Sequence, residues 1–294
     1  MKILLIGSNG RLGKALKYKI KKLNVNIVQI NRKDINLYYA KNLIEKLNII
    51  KPDIIINAAA FTNVDQAELS PKYVFMLNTY LVSILAKYSY ENGILIIHYS
   101  TNYVFDGNKK DLYNENDRTN PINIYGYSKY LSENNIFISK SKYLIFRFGW
   151  LISNYKNNLV TNIINSLLTD KILSINYNQI IVPTHVDIIV DITIIFIIYY
   201  INNININIGL YHISPLGRVN IYNLSCYILD YMNFLDIKTK IDKNNIIINN
   251  NNKINLRPYN ACLNSSKIKK LLRINIPHWK IGVNKVINQF FKSY

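Results

Sequence analysis

The sequence predicts an α/β protein: a doubly wound parallel sheet with a smaller, less regular C-terminal part. Three observations carry this. Apolar runs of strand length alternate with stretches of helical spacing through the first 150 residues. The strand runs are apolar nearly throughout rather than at every second residue, as in a sheet covered on both faces. A turn with regularly spaced glycines joins the first strand to the first helix.

The elements follow in order. Residues 2–6 are a short apolar run ending in glycine, and residues 14–23 place Ala15, Leu16, Ile20 and Leu23 at helical spacing with lysines between them. Further strands are predicted at residues 26–30, 53–57, 94–99 and 143–147, and helices at 39–47, 71–91 and 125–139. After Trp150 the pattern loosens. Residues 173–175 can return a strand to the sheet, 187–201 read as a buried helix, and 209–214 as another short strand. Residues 244–255 are nearly all Asn and Ile, a tolerated surface segment, and 257–294 read as loops and helices. The expected organisation is a nucleotide-binding unit over residues 1–150, rejoined around 171–202, and a substrate-binding part over 151–294.

Composition narrows the function classes. The 294 residues carry 36 Lys plus Arg against 17 Asp plus Glu, a formal charge of +19, which by itself suggests a nucleic acid or an anionic membrane as partner. The bias extends to uncharged residues, with about 50 Ile and about 45 Asn, and no block of five or six like charges occurs. A chain-wide compositional bias explains the charge, and neither nucleic acid nor membrane is expected as a partner. Cys226 and Cys262 have no CxxC or metal-ligand spacing, so no metal site is expected. The greasiest run, residues 188–201, contains Asp191 and falls short of the ~20 residues of a bilayer span. With no charged segment ahead of a long apolar one, a cytoplasmic protein is expected.

Gly7-Ser8-Asn9-Gly10-Arg11-Leu12-Gly13 follows the first strand and opens the first helix. Gly7 permits the turn, Gly10 lets a phosphate approach the backbone, and Gly13 lets helix and strand pack closely. Backbone N–H groups and the positive helix end suit a pyrophosphate there. The GxxGxxG spacing is similar to that of the extended short-chain dehydrogenase/reductase superfamily. The second strand ends at Ile30-Asn31-Arg32-Lys33, where NAD sites usually place an acid for the ribose hydroxyls. An uncharged Asn31 followed by Arg32 and Lys33 favours NADPH, with NADH as the alternative; a plain surface Lys/Arg pair accounts for them equally well.

Tyr125 and Lys129 lie four residues apart, hence on one face of a helix. A tyrosine titrates near pH 10, and a nearby ammonium favours the phenolate, so Tyr125 could hand a proton to a carbonyl oxygen. Lys129 could also hold a nicotinamide ribose. Thr101, at the end of a predicted parallel strand where α/β sheets place their ligands, offers a hydroxyl to the same oxygen or to Tyr125.

Longer strings make a resemblance specific. Asn57-Ala58-Ala59-Ala60-Phe61-Thr62-Asn63-Val64-Asp65-Gln66-Ala67-Glu68, Tyr99-Ser100-Thr101-Asn102-Tyr103-Val104-Phe105-Asp106-Gly107 and Tyr125-Gly126-Tyr127-Ser128-Lys129 resemble the dTDP-4-dehydrorhamnose reductases. Phe146-Arg147-Phe148-Gly149-Trp150, Val182-Pro183-Thr184, Arg257-Pro258 and Pro277-His278-Trp279 continue the likeness toward the C-terminus. The resemblance implies a Rossmann-like fold and NADPH-dependent reduction of the 4-keto group of dTDP-4-dehydro-6-deoxy-L-mannose (dTDP-4-dehydro-L-rhamnose) to dTDP-L-rhamnose. It implies Tyr125 as proton donor, Lys129 as its modulator and ribose ligand, and Thr101 as tuner of their hydrogen bonds. Gly10, Arg11 and Leu12 would line the pyrophosphate; Ala59, Ala60, Phe61 and Thr62 form the next cofactor loop, with Tyr99 beside the cofactor. Val64, Thr101, Asn102 and Trp150 would meet the nucleotide-sugar. The family is often magnesium-linked and in some bacteria dimeric, so a monomer or homodimer is expected, and no carboxylate cluster locates a magnesium ion.

The chain departs from the family pattern at four places. Asn102 stands where the family usually has Asp, Ser132 in place of a Gly, Gly149 in place of a Ser, and Asn36 in place of an Asp. None removes a catalytic group. A dehydratase would need an acid and a base after the threonine, and Asn102 and Tyr103 are both uncharged at pH 7. An epimerase would also use Tyr and Lys, and the C-terminal likeness argues against it. A non-catalytic regulatory homologue would be expected to lose part of the Thr, Tyr and Lys set or the glycine loop, all of which are present.

Overall fold

Residues 1–31, 34, 40–155, 158–169, 172–175, 179–205, 207–249 and 257–292 are described in the computed structural model of the chain. The apolar runs form β1 (Lys2–Ile6), β2 (Asn26–Ile30), β3 (Ile54–Asn57), β4 (Leu95–Thr101) and β5 (Lys142–Phe148). With the strand Gly209–His212 they make one six-stranded sheet, every pairing parallel, in the order Gly209–His212, β5, β4, β3, β1, β2. The expected doubly wound parallel sheet is therefore present.

The inner strands are apolar at most positions because each face has its own core. Ile3, Leu5, Ile54, Ile56, Ile97 and Phe146 point to one side, and Leu4, Ile6, Ile55, Ile96 and Ile145 to the other. On the first side lie α1 (Arg11–Ile20) and the helices Val186–Ile201 and Ser266–Leu272; on the second lie α2 (Ala40–Ile50) and the helix Leu81–Glu91. Each fully buried Leu or Ile contributes about 1.5–3 kcal/mol, so alternation with polar residues on either face would be costly. Asp191 does not contradict the burial of its greasy helix, because it lies on the outer edge and pairs with Lys19 of α1 at 2.9 Å.

Two expectations are corrected. Residues 71–91 are not one regular helix: Pro71–Phe75 and Leu81–Glu91 are α-helical, and Met76–Tyr80 between them is a π turn. Leu173–Ile175 does not rejoin the large sheet but pairs in parallel with Ile246–Ile248. Edge space on the sheet beside β5 is taken by Gly209–His212, while Leu173 and Ile175 are buried in a second core. That core is formed by the helices Leu159–Thr169, Ile221–Phe234 and Trp279–Lys292, through Ile163, Ile164, Leu224, Ile228, Val283 and Val286. Among the described residues no helix is long and apolar enough to cross a membrane. Arg32, Lys33, Asn36 and part of the Asn/Ile-rich stretch lie outside the described residues.

Candidate active site

The strand order reverses between β1 and β3, and open α/β sheets bind ligands at the carboxyl ends on either side of such a switch point. Here β1 runs into the glycine loop and β3 into Ala58–Asn63. The two loops touch. A Cβ on Gly7, whose φ is +83°, would stand 2.6 Å from Ala59 N, and one on Gly13 would stand 2.1 Å from Gly7 O. Gly10 differs: only Gly7 O, at 3.4 Å, lies near its missing Cβ. Helix α1 begins there with no side-chain cap and no acid in its first turn, which leaves its first N–H groups facing the cleft. The chemistry of this loop fits a pyrophosphate.

Across the cleft, the helix Ile124–Ser139 is started by Asn123, whose side chain accepts from Gly126 N at 2.7 Å. Its first turns carry Tyr125 and Lys129 into a cleft of about 760 Å³. Thr101 stands at the end of β4, lining the cleft with Tyr125. Burial pushes Tyr125 up to about 12, and Thr101 and Arg11 pull the other way. Burial also lowers Lys129 to about 7, with Glu133 opposing it. Lys129 is not among the groups that shift Tyr125 here. The lysine amine turns to His98 Nε2 at 2.9 Å, so tyrosine protonation is governed by burial and Thr101 instead.

Supporting groups surround this trio. Glu133, one turn past Lys129, is fully buried and accepts from Arg147 Nε at 2.9 Å and Nη2 at 2.5 Å, and from Ser100 Oγ at 2.5 Å. The π turn aims Asn78 inward: it accepts from Phe61 N at 2.7 Å and donates to Phe61 O at 3.1 Å and Ser128 Oγ at 2.9 Å. Asn78 thereby ties the loop after β3 to the Tyr125 helix.

The cleft brings together most of the expected residues. Gly10, Arg11, Leu12, Ala60, Thr62 and Tyr99 line it beside Thr101, Tyr125 and Lys129, and so do Val64, Asn102 and Trp150. Gly7, Gly13, Ala59 and Phe61 do not line it: the two glycines allow close packing, and Ala59 and Phe61 are held by their backbones to Asn57 and Asn78. Asn31 lies beside the glycine loop, accepting from Ser8 Oγ at 2.8 Å. Arg32 lies outside the described residues. Sequence reasoning missed Asn78, His98 and Arg257 as site residues. Asn78 and His98 carry no motif of their own, whereas the Arg257-Pro258 pair after an Asn/Ile tract was a usable signal. Arg257 pairs with Asp65 at 2.6 Å and lines both the cleft and an adjoining hollow of about 250 Å³, which Trp150, Leu159 and Asn162 also border.

Two of the departures face each other. Asn102 Nδ2 donates to Ala261 O at 2.9 Å, a bond a carboxylate could not make, and a Cβ on Gly149 would sit 3.0 Å from the same nitrogen. The amide and the glycine therefore belong together. Among the described residues no group of three or more His, Cys, Asp or Glu could hold a metal ion.

Comparison with known proteins agrees with this geometry. The profile of the family described as RmlD substrate binding domain matches residues 1–292. The dTDP-4-dehydrorhamnose reductase of Escherichia coli K12 is 30% identical over 297 residues, covering 100% of this chain and 99% of that protein. A dTDP-4-dehydrorhamnose reductase structure from Clostridium acetobutylicum superposes with a TM-score of 0.86 at 26% identity, covering 98% of this chain and 99% of the other. One from Bacillus anthracis, solved in complex with NADP, gives 0.85 at 27% identity, covering 100% and 98%. The chain belongs to the RmlD substrate-binding-domain family, the oxidoreductase family of the dTDP-4-dehydrorhamnose reductases.

Proposed function

We propose that the chain reduces the 4-keto group of dTDP-4-dehydro-L-rhamnose to dTDP-L-rhamnose with NADPH. The observation that carries this is the placement of Thr101, Tyr125 and Lys129 on one cleft wall opposite the glycine loop. NADPH, when bound, supplies the hydride for the carbonyl carbon. Gly10, Arg11 and Leu12 hold the pyrophosphate, Ala60 and Thr62 flank the next part of the cofactor, and Lys129 holds the nicotinamide ribose. Preference for NADPH is supported by the uncharged Asn31 at the end of β2 and by the NADP complex of the Bacillus anthracis relative.

Tyr125 then supplies the proton. Its raised pKa keeps it protonated at neutral pH, in the form that can donate to the carbonyl oxygen as negative charge develops there. Thr101 offers its hydroxyl to the same oxygen and stabilises the phenolate that remains, while Arg11 supplies positive charge from the side of α1. Residues 1–150, with Val186–Ile201 and Gly209–His212, form the cofactor half. The second core supports the wall on which Trp150 and Arg257 meet the nucleotide part of the substrate.

The test is loss of nicotinamide absorbance when purified protein is mixed with NADPH and freshly made dTDP-4-dehydro-L-rhamnose. Turnover in the wild type that falls by roughly 10²-fold or more in Tyr125→Phe is expected. Wild-type turnover no faster than the variant overturns the assignment.

A further inference from the structure

His98 is fully buried in β4 and takes no part in the chemistry just described. Its ring nitrogens nevertheless face three polar groups from two elements. Asn57 Nδ2, at the end of β3, lies 3.2 Å from Nδ1. Lys129 Nζ and Ser132 Oγ, from the Tyr125 helix, lie 2.9 Å and 3.0 Å from Nε2.

The hydrogen positions follow from the partners. Asn57 Oδ1 accepts from Ala59 N–H at 3.2 Å, which orients the amide and turns its NH₂ toward His98 Nδ1. Nδ1 must then accept, so a neutral ring carries its proton on Nε2. The Ser132 hydroxyl donates to Lys129 O at 2.6 Å and leaves its oxygen lone pairs toward that N–H. Burial, and then Lys129, hold His98 well below the usual histidine pKa, so the ring is neutral.

We infer that His98 is a positioning residue for Lys129: its proton, locked on Nε2, holds the resting lysine as a neutral amine acceptor, and Lys129 becomes an ammonium by giving His98 up to Ser132. This rests on the reductase reading, in which Lys129 holds the nicotinamide ribose and does so as an ammonium. The other groups facing Lys129 set the balance. Glu133, clamped by Arg147, favours the ammonium, whereas burial favours the amine and brings the two forms together near pH 7. Tyr125 and Arg11 close the cleft side. The chain from Ala59 through Asn57 and His98 to Lys129 thus joins the loop after β3 to the lysine.

Nitrogen-15 NMR of the ligand-free protein reads the tautomer directly. The sequence has four histidines, and the signals lost in His98→Gln identify this one. A neutral ring protonated on Nε2 between pH 6 and 8 is expected; an Nδ1-protonated or charged ring overturns the inference. The pH profile of kcat/KM for NADPH-dependent turnover gives the second readout. His98→Leu removes the donor, so the alkaline limb should move up by roughly half to one pH unit, the size of one net hydrogen bond. Ser132→Ala leaves Lys129 as the remaining acceptor for Nε2–H, so its limb should move down. A lower rate on an unshifted limb in both variants marks His98 as merely structural. Absent wild-type turnover sinks the reductase reading alone, because the tautomer is measured without substrate.

Discussion

Glu133→Gln tests the most deeply buried charges beside the site. Glu133 and Arg147 side chains are 1% and 4% exposed, and the carboxylate accepts two guanidinium bonds and one from Ser100. Glutamine keeps the shape but removes the charge, leaving the Arg147 guanidinium buried without its counter-ion. His212, 3.5 Å from Nη1, supplies no negative charge in either form, and burial and Arg147, which lower its pKa to about 3, keep it from adding a second cation. Breaking such a pair costs about 3–5 kcal/mol. With an unfolding entropy of about 2.1 cal/mol/K per residue, a chain of this length loses roughly 1.6 °C per kcal/mol, so Tm should fall by roughly 5–8 °C. Thermal and urea unfolding followed by circular dichroism measure this. The double variant Glu133→Leu/Arg147→Met, with no charge left to strand, should lie within about 1 kcal/mol of wild type. A single-variant loss below about 1 kcal/mol, the size of an exposed pair, would refute the reasoning, as would a double variant less stable than the single. Glu133 also opposes the lowering of the Lys129 pKa, so Glu133→Gln should move the alkaline limb of activity to lower pH.

Three further outcomes are expected. Gly13→Ala drives a Cβ to 2.1 Å from Gly7 O, so the glycine loop must open; NADPH affinity by fluorescence titration should drop at least tenfold while the second core stays folded. Asn102→Asp replaces a donor with a carboxylate facing Ala261 O and should cost roughly 2 kcal/mol in urea unfolding; adding Gly149→Ser, whose hydroxyl can donate to the new carboxylate, should recover part of it. The buried His212 must stay neutral in the fold, whereas it protonates near 6.5 when unfolded; stability is therefore full above pH 6.5 and falls as pH drops toward about 3. His212→Asn should flatten the fall in urea midpoint between pH 7 and 4.5, and an unchanged slope counts against the assignment.

Much of the molecule was legible in the chain itself. Runs such as Ile54–Asn57 are apolar at most positions because both faces of a parallel sheet are covered, and that pattern survives even a strong Ile and Asn bias. Gly7, Gly10 and Gly13, Thr101, and the Tyr125 and Lys129 pair were readable because each depends on local geometry: a turn, a strand end, one helix face. What the chain alone could not specify depends on residues far apart in sequence. Leu173–Ile175 has the composition of a sheet strand, and its partner Ile246–Ile248 was decided by which edge the second core left open. Asn78 and His98 gain meaning only where a π turn and β4 bring them against Phe61 and Lys129. The protonation of Tyr125 and Lys129 was likewise decided by enclosure, because spacing can place two groups on one face but only the packed interior sets the dielectric and the hydrogen-bond partners around them.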